Sequence, residues 1–118
     1  MNNLRIKISY EVRSIKFNSE KSYKIEDANN IYDLIALDFD TLLYIEAHMN
    51  IYKSSFKFKI NNEDWQDYNI CDYCCYLKNK YFKDKENITE YYLLDKLFDL
   101  NYYGFVHYVR GLRDNENN

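Results

Sequence analysis

Apolar and polar residues alternate at the start of the chain, from Leu4 to Val12. This period of two predicts a β-strand with one buried and one solvent-facing side. After Arg13 the parity flips, because Ile15 and Phe17 carry the apolar side, so either a bulge or a turn into a second strand follows. The polar residues 18–21 are expected to form a turn or loop.

The segment that follows is ambiguous between helix and strand. Residues 25–36 suit a short helix capped by Asp27. From Leu37 to Ile51 most odd positions are apolar, which is strand periodicity, although Leu, Glu, Ala and Met favour helices and a helical stripe also fits. We choose a strand from Thr41, because the sequence FKFKI at 56–60 predicts a further strand and would pair with it in a hairpin.

Residues 64–82 form the longest segment whose apolar positions recur at helical spacing, so we expect the central helix of the fold there. Acidic residues near its start and lysines near its end suit the helix dipole. Trp65 would lie in the first turn and anchor the helix on the core. The same face would carry Tyr68, Cys71, Cys74, Cys75, Leu77 and Phe82.

Another helix is expected to begin at Thr89, and 102–109, apolar or aromatic on both faces, predicts a strand covered on both sides. The pattern as a whole predicts an α+β fold, with a mixed or antiparallel sheet of four to five strands and two to three helices packed on it. Residues 1–110 would form a single compact domain and 111–118 a polar C-terminal tail. The inner stripe of the helix after Thr89 would be Leu93, Leu94, Leu97, Phe98 and Leu100.

Charge is unevenly distributed along the 118 residues, whose net charge is −3. Residues 1–25 hold six basic and two acidic side chains, whereas residues 26–72 hold three basic and ten acidic ones. The three cysteines cannot all pair within the chain, and no run of about 18 apolar residues occurs, so we expect a reduced, cytoplasmic protein without a membrane segment.

Candidate chemistry centres on Cys71, Cys74 and Cys75, whose C-x-x-C spacing is compatible with zinc or redox use together with His48 or His107. Free cysteines in a helical pattern are more often packing groups, so we expect no metal and no other cofactor. With two glycines in the whole chain a phosphate-cradling glycine loop cannot be built, and no catalytic motif occurs. The sequence therefore indicates a protein that is not an enzyme.

Basic residues give limited support for nucleic-acid binding. Arg5, Lys7 and Arg13 would share the wet face of the first strand, and Lys57 and Lys59 alternate with aromatic residues. An isoelectric point near 5.4 opposes phosphate binding, so nucleic acid is not the expected partner.

The expected function is protein–protein interaction: a small acidic binding protein that inhibits or neutralises another macromolecule. Such proteins include immunity proteins against toxins and anti-defence inhibitors encoded by a phage or mobile element, for example anti-CRISPR proteins. Acidic surfaces associate quickly with basic clefts, and exposed aromatic side chains supply binding energy. A Cys/His metal-binding or redox domain and a nucleic-acid-binding accessory protein are the alternatives. The partner-binding residues would be Asp38, Asp40, Glu46, Glu63, Asp64 and Asp67.

Overall fold

A computed structural model describes residues 1–45, 54–100 and 102–116. In these ranges four strands form one antiparallel sheet in the order β2-β1-β3-β4, which confirms the α+β class. The same described ranges hold four α-helices, where two or three were expected. The elements are β1 Asn2–Val12, β2 Ile15–Ile25, α1 Ile31–Ile45, β3 Ser55–Ile60, β4 Gln66–Asp67, α2 Ile70–Tyr81, α3 Glu90–Asp99 and α4 Tyr102–Glu116.

The described residues divide into two compact units. Unit 1 contains residues 1–39 and 54–69, and therefore the whole sheet with the first part of α1. Unit 2 contains residues 40–45 and 70–116, and therefore the end of α1 with α2, α3 and α4. The expected single domain over 1–110 stays a prediction.

The core of unit 1 lies on one face of the sheet, as the alternation in β1 predicts. Leu4, Ile6 and Ile8 are buried, and β3 contributes Phe56 and Phe58 at the paired positions opposite Ile8 and Ile6. Aromatic rings from outside the sheet close this core. The Phe39 ring of α1 stands edge-on to Phe56 with centroids 5.3 Å apart, and edge-on to the ring of Tyr68 at 5.1 Å. Burying each such ring contributes about 2 kcal/mol to folding.

The change of parity after Arg13 marks a turn into a second strand. Val12 pairs with Ile15, so β1 and β2 form a hairpin with a two-residue loop. The prediction of a turn or loop at 18–21 was wrong, because these residues lie within β2 and pair with residues 6–9 of β1. Their polar side chains are exposed, and the backbone hydrogen bonds of the ladder hold the strand without help from an apolar pattern.

The strand predicted from Thr41 was also wrong over its described part, because Thr41–Ile45 continues α1. The helical stripe prevails, with Ile31, Ile35, Phe39 and Leu42 all buried. Residues 46–53 of the predicted strand lie outside the described residues. Asp27 does cap a helical start, since its side chain accepts a hydrogen bond from the Asn29 backbone N–H ahead of α1.

The central helix begins later than the spacing predicts, at Ile70. Residues 66–67 instead form β4, which pairs with β3, and the Tyr68 N–H donates to the Phe56 carbonyl at 2.8 Å. Asn61 makes the reversal possible, because it adopts φ 54° and asparagine tolerates this left-handed region. Its side chain also accepts a hydrogen bond from the Asn3 N–H at 2.9 Å.

The predicted strand at 102–109 is part of α4, which continues through the expected polar tail to Glu116. Phe105, Val106 and Val109 are buried while His107 and Arg110 are exposed, which is helical rather than strand periodicity. The run of aromatic and β-branched residues has high strand propensity, but packing in unit 2 overrides it.

Unit 2 has its own helical core. Tyr73 and Leu77 of α2, Leu93 and Leu97 of α3 and Phe105 of α4 are at most 3% exposed. The start of α3 follows the expected cap, since the Thr89 hydroxyl accepts a hydrogen bond from the Tyr92 N–H at 3.0 Å. Two members of the predicted α3 stripe do not belong to the core: Phe98 is 70% exposed and Leu100 is 36% exposed.

Candidate functional site

The carboxylates of Asp38 and Asp40, two of the predicted partner-binding acids, form hydrogen bonds and ion pairs within the fold. The Tyr23 hydroxyl donates to Asp38 at 2.8 Å, and Lys21 Nζ lies 3.6 Å from the same carboxylate. Asp40 accepts hydrogen bonds from Tyr73 and from Arg110, the latter at 3.0 Å. Both carboxylates are mostly buried, at 11% and 13% side-chain exposure. They lie two residues apart on α1, so their side chains point to different sides of the helix.

The other predicted acids fall into two groups. Glu63, Asp64 and Asp67 are exposed and lie together on β4 and on the connection that leads into it. Asp67 Oδ1 is 3.9 Å from Lys57 Nζ, a weak surface pair. Glu46 lies outside the described residues. The structure therefore leaves three of the six acids on an exposed stretch of unit 1.

The three cysteines occupy different environments at the start of α2. Cys71 is exposed, Cys74 is buried and Cys75 is half-buried, so the expectation that all three pack inward was wrong for Cys71. Burial, reinforced by Cys71 and Glu90, raises the pKa of Cys74 to about 12, and burial also raises the pKa of Cys75. A reactive cysteine requires a lowered pKa, so neither of these thiols has the character of a nucleophile.

Metal binding finds no support in the part of the chain that the structure describes. There, no group of three or more His, Cys, Asp or Glu side chains is arranged to hold an ion. His107 is exposed on α4, and His48 lies outside the described residues.

Helix α3 carries an exposed surface that the sequence pattern did not reveal. Tyr91 is 80% exposed and Phe98 is 70% exposed, with half-buried Leu94 and exposed Asp95 between them. Positions separated by three, four and seven residues share one helix face. We call Tyr91, Leu94, Asp95, Phe98 and Asp99 the α3 outer stripe.

The α3 outer stripe is acidic as well as aromatic. Asp95 and Asp99 are exposed acids one turn apart, and like charges at this spacing mildly destabilise a helix. Lys96 is the basic residue in the last turn of α3, and its Nζ lies 5.7 Å from the ring centroid of Tyr92 and 5.5 Å from that of Tyr108. The spacing held a signal for this surface, because Tyr91 and Phe98 lie seven residues apart and therefore share a helix face, but Phe98 was assigned to the inner stripe with Leu93 and Leu97.

Trp65 lies outside any helix, so its predicted place in the first turn of a helix was wrong. The half-buried indole instead contacts cations of the sheet. Lys7 Nζ, Arg5 Cζ and Lys59 Nζ lie 4.4, 5.2 and 5.8 Å from the ring centroid. These distances are within the range of cation–π attraction.

Comparison with known proteins gives no relative: no family model, curated protein or solved structure matches this chain. Among the helices of the described ranges, none combines the length and the apolar character needed to cross a membrane.

Proposed function

We propose that the protein is a non-catalytic binding protein that inhibits or neutralises another macromolecule, in the manner of an immunity protein or a phage-encoded inhibitor of a host defence nuclease. The α3 outer stripe is the observation that carries this proposal. Its partner is a protein with a basic groove.

The stripe has the layout of a helix that inserts into a groove. Recognition helices of this kind present large apolar anchors at i, i+3 and i+7, and Tyr91, Leu94 and Phe98 have this spacing. Leu93 and Leu97 already hold α3 in the core of unit 2, so the outer anchors are not needed for folding. A helix that is apolar on two faces has a second surface to bury.

Charge defines the partner. Asp95 and Asp99 flank the aromatic anchors, and the basic Lys96 points its ammonium group toward Tyr92 and Tyr108. An acidic rim around apolar anchors favours a basic groove and accelerates association with it. Nucleases and other proteins that bind nucleic acid have such grooves, which supports the inhibitor role.

The test is affinity capture from the cells in which the protein is naturally made, with the parent and with Tyr91→Ala/Phe98→Ala as baits. Loss of two anchors should weaken the captured complex by about 2 kcal/mol or more, which is about thirtyfold. The parent protein, added in stoichiometric amounts, should inhibit the activity of the captured partner. Leu37→Ala is the matched control, since it removes an apolar side chain that is 58% exposed on α1.

A charge-reversal variant distinguishes electrostatic steering of association from apolar packing in the complex. Asp95→Lys/Asp99→Lys should slow association and reduce its salt dependence, while the aromatic double variant should mainly speed dissociation. All variants should melt close to the parent, because the substituted side chains are exposed. The proposal fails if the aromatic double variant captures and inhibits the same partner as strongly as the parent.

A further inference from the structure

The outer face of the sheet in unit 1 concentrates positive charge. Because Leu4, Ile6 and Ile8 point into the core, the intervening residues of β1 point outward. In the β1–β3 register Arg5 stands opposite Lys59, and Lys7 stands opposite Lys57. Like charges directly opposite each other destabilise strand pairing. Two such pairs in succession therefore weaken the sheet at its centre.

Carboxylates offset this charge only in part. Glu20 binds Arg5, and Asp67 lies near Lys57. No carboxylate among the described residues lies within ion-pairing distance of Lys7 or Lys59. The outward positions of the four strands hold six cations and three carboxylates, so this face is positive although the whole chain is negative. The cations are Arg5, Lys7, Lys16, Lys24, Lys57 and Lys59.

An aromatic ring, that of Trp65, lies beside the cations at the centre of this face. Trp65 is within 6 Å of three cations, with Lys7 the nearest. The residue reaches this position because β4 pairs with β3 immediately after it. We call Arg5, Lys7, Lys57, Lys59 and Trp65 the basic sheet face.

A shallow groove continues from the basic sheet face across the three longer strands. Its volume is about 480 Å³, and its outward side chains carry ammonium, hydroxyl, amide and carboxylate groups. Hydroxyl and amide groups donate hydrogen bonds to phosphate and sugar oxygens, and lysines neutralise phosphate charge. These side chains are Lys7, Ser9, Asn18, Glu20, Ser55 and Lys57.

We propose that the basic sheet face and this groove bind single-stranded nucleic acid. A cationic groove that follows the backbone, next to an aromatic ring on which a base stacks, is the general design of single-strand binding surfaces. An acidic peptide would use the cations but has no need of the indole ring. The inference goes beyond the proposed function and does not depend on it, since it rests on unit 1 and the α3 outer stripe belongs to unit 2.

Binding can be measured by fluorescence anisotropy of a labelled ten-nucleotide oligothymidylate. Trp65 is the single tryptophan of the chain, so quenching of its fluorescence by the unlabelled oligonucleotide reports contact at the site itself. Affinity should fall with salt, because phosphate contacts release counterions. Trp65→Ala should bind about fivefold more weakly or worse, as expected for the loss of a stacking side chain.

A pair of charge-matched variants tests the lysines without touching the core. Lys7→Gln/Lys59→Gln removes two phosphate contacts, and should reduce the slope of log affinity against log salt by about 1.4. Lys83→Gln/Lys85→Gln makes the same change in net charge at exposed positions of unit 2, away from the sheet, and should leave the slope close to that of the parent. Tyr91→Ala/Phe98→Ala should bind the oligonucleotide like the parent, which separates this site from the proposed protein interface.

Several outcomes would overturn the proposal. One is the absence of binding in 50 mM salt at protein concentrations up to about 100 µM, the weak limit of non-specific affinity. Another is equal displacement by a decaglutamate peptide, which would show a surface for acidic polypeptide. Equal loss in the two lysine variants would show a response to net charge alone. Should Trp65→Ala fail to fold, the lysine variants decide the question.

Discussion

Three cysteines within five positions of α2 differ because a helix turns by about 100° per residue. Cys74 faces the core with Tyr73 and Leu77, whereas Cys71 faces solvent and Cys75 lies between, 3.5 Å from the Asn79 amide nitrogen. Burial is the largest cause of the raised pKa at both Cys74 and Cys75. At the residue scale, the environment of each thiol follows from its angle on the helix.

The thiols should therefore react in sequence. We expect a thiol reagent at neutral pH to modify Cys71 rapidly in the native protein, Cys75 slowly, and Cys74 only after denaturant is added, since reagents attack exposed thiolates. Absorbance of the released reagent group counts the thiols. Cys71→Ser should remove the fast phase. A fast phase that survives in Cys71→Ser but disappears in Cys74→Ser would show that α2 faces the other way.

At the element scale, the β1–β2 hairpin is held by a strained turn. Arg13 and Ser14 have φ of 52° and 68°, so both central residues of the two-residue loop are left-handed without being glycine. This is the geometry of a type I′ turn, whose preferred sequence is Asn-Gly. The right-handed twist of the two long strands selects this turn in spite of its residues.

Replacing the turn should stabilise the protein. Arg13→Asn/Ser14→Gly should raise the free energy of unfolding by about 1 kcal/mol, because it relieves two unfavourable φ values. Urea unfolding measures the difference. Ser14→Val is the opposite control and should lower stability, since a β-branched residue resists positive φ. If both variants unfold at the urea concentration of the parent, the hairpin does not contain this turn.

At the scale of the whole molecule, each unit contains a tyrosine whose hydroxyl is held neutral. In unit 1, burial and the hydrogen bond to Asp38 raise the pKa of Tyr23 to about 12. In unit 2, the hydrogen bond with Tyr92 is the main cause that raises the pKa of Tyr108 to about 12. An unperturbed tyrosine has a pKa of 10.0.

Both tyrosines should make the protein sensitive to alkali. Because the folded pKa is above the unfolded one, their contribution to stability is complete below pH 10 and is lost as pH rises toward 12. Melting temperature should therefore fall over this range. Tyr23→Phe should be less stable than the parent below pH 10, and the difference should narrow by pH 12. Tyr91→Phe, at an exposed side chain, should follow the parent, and an unchanged gap for Tyr23→Phe would contradict the linkage.

Local pattern alone determined several elements of this protein. Strict alternation marks β1 and β3 because one face of each is buried, and Thr89 marks the start of α3 because its hydroxyl satisfies a free backbone N–H. These signals come from neighbours along the chain. They were sufficient for the α+β class and for the lysines that alternate on β3.

Tertiary contacts decided the rest. The polar residues of β2 form a strand because β1 supplies hydrogen-bond partners, and 102–109 becomes helical because its apolar groups pack on a helical core. Trp65 is not helical, because the next residue, Gln66, pairs with Phe58 of β3 and this strand pairing outweighs the helical propensity of the segment. The α3 outer stripe and the basic sheet face depend on which side of an element is already covered. Only the folded chain defines that, because burial is a property of partners distant in sequence.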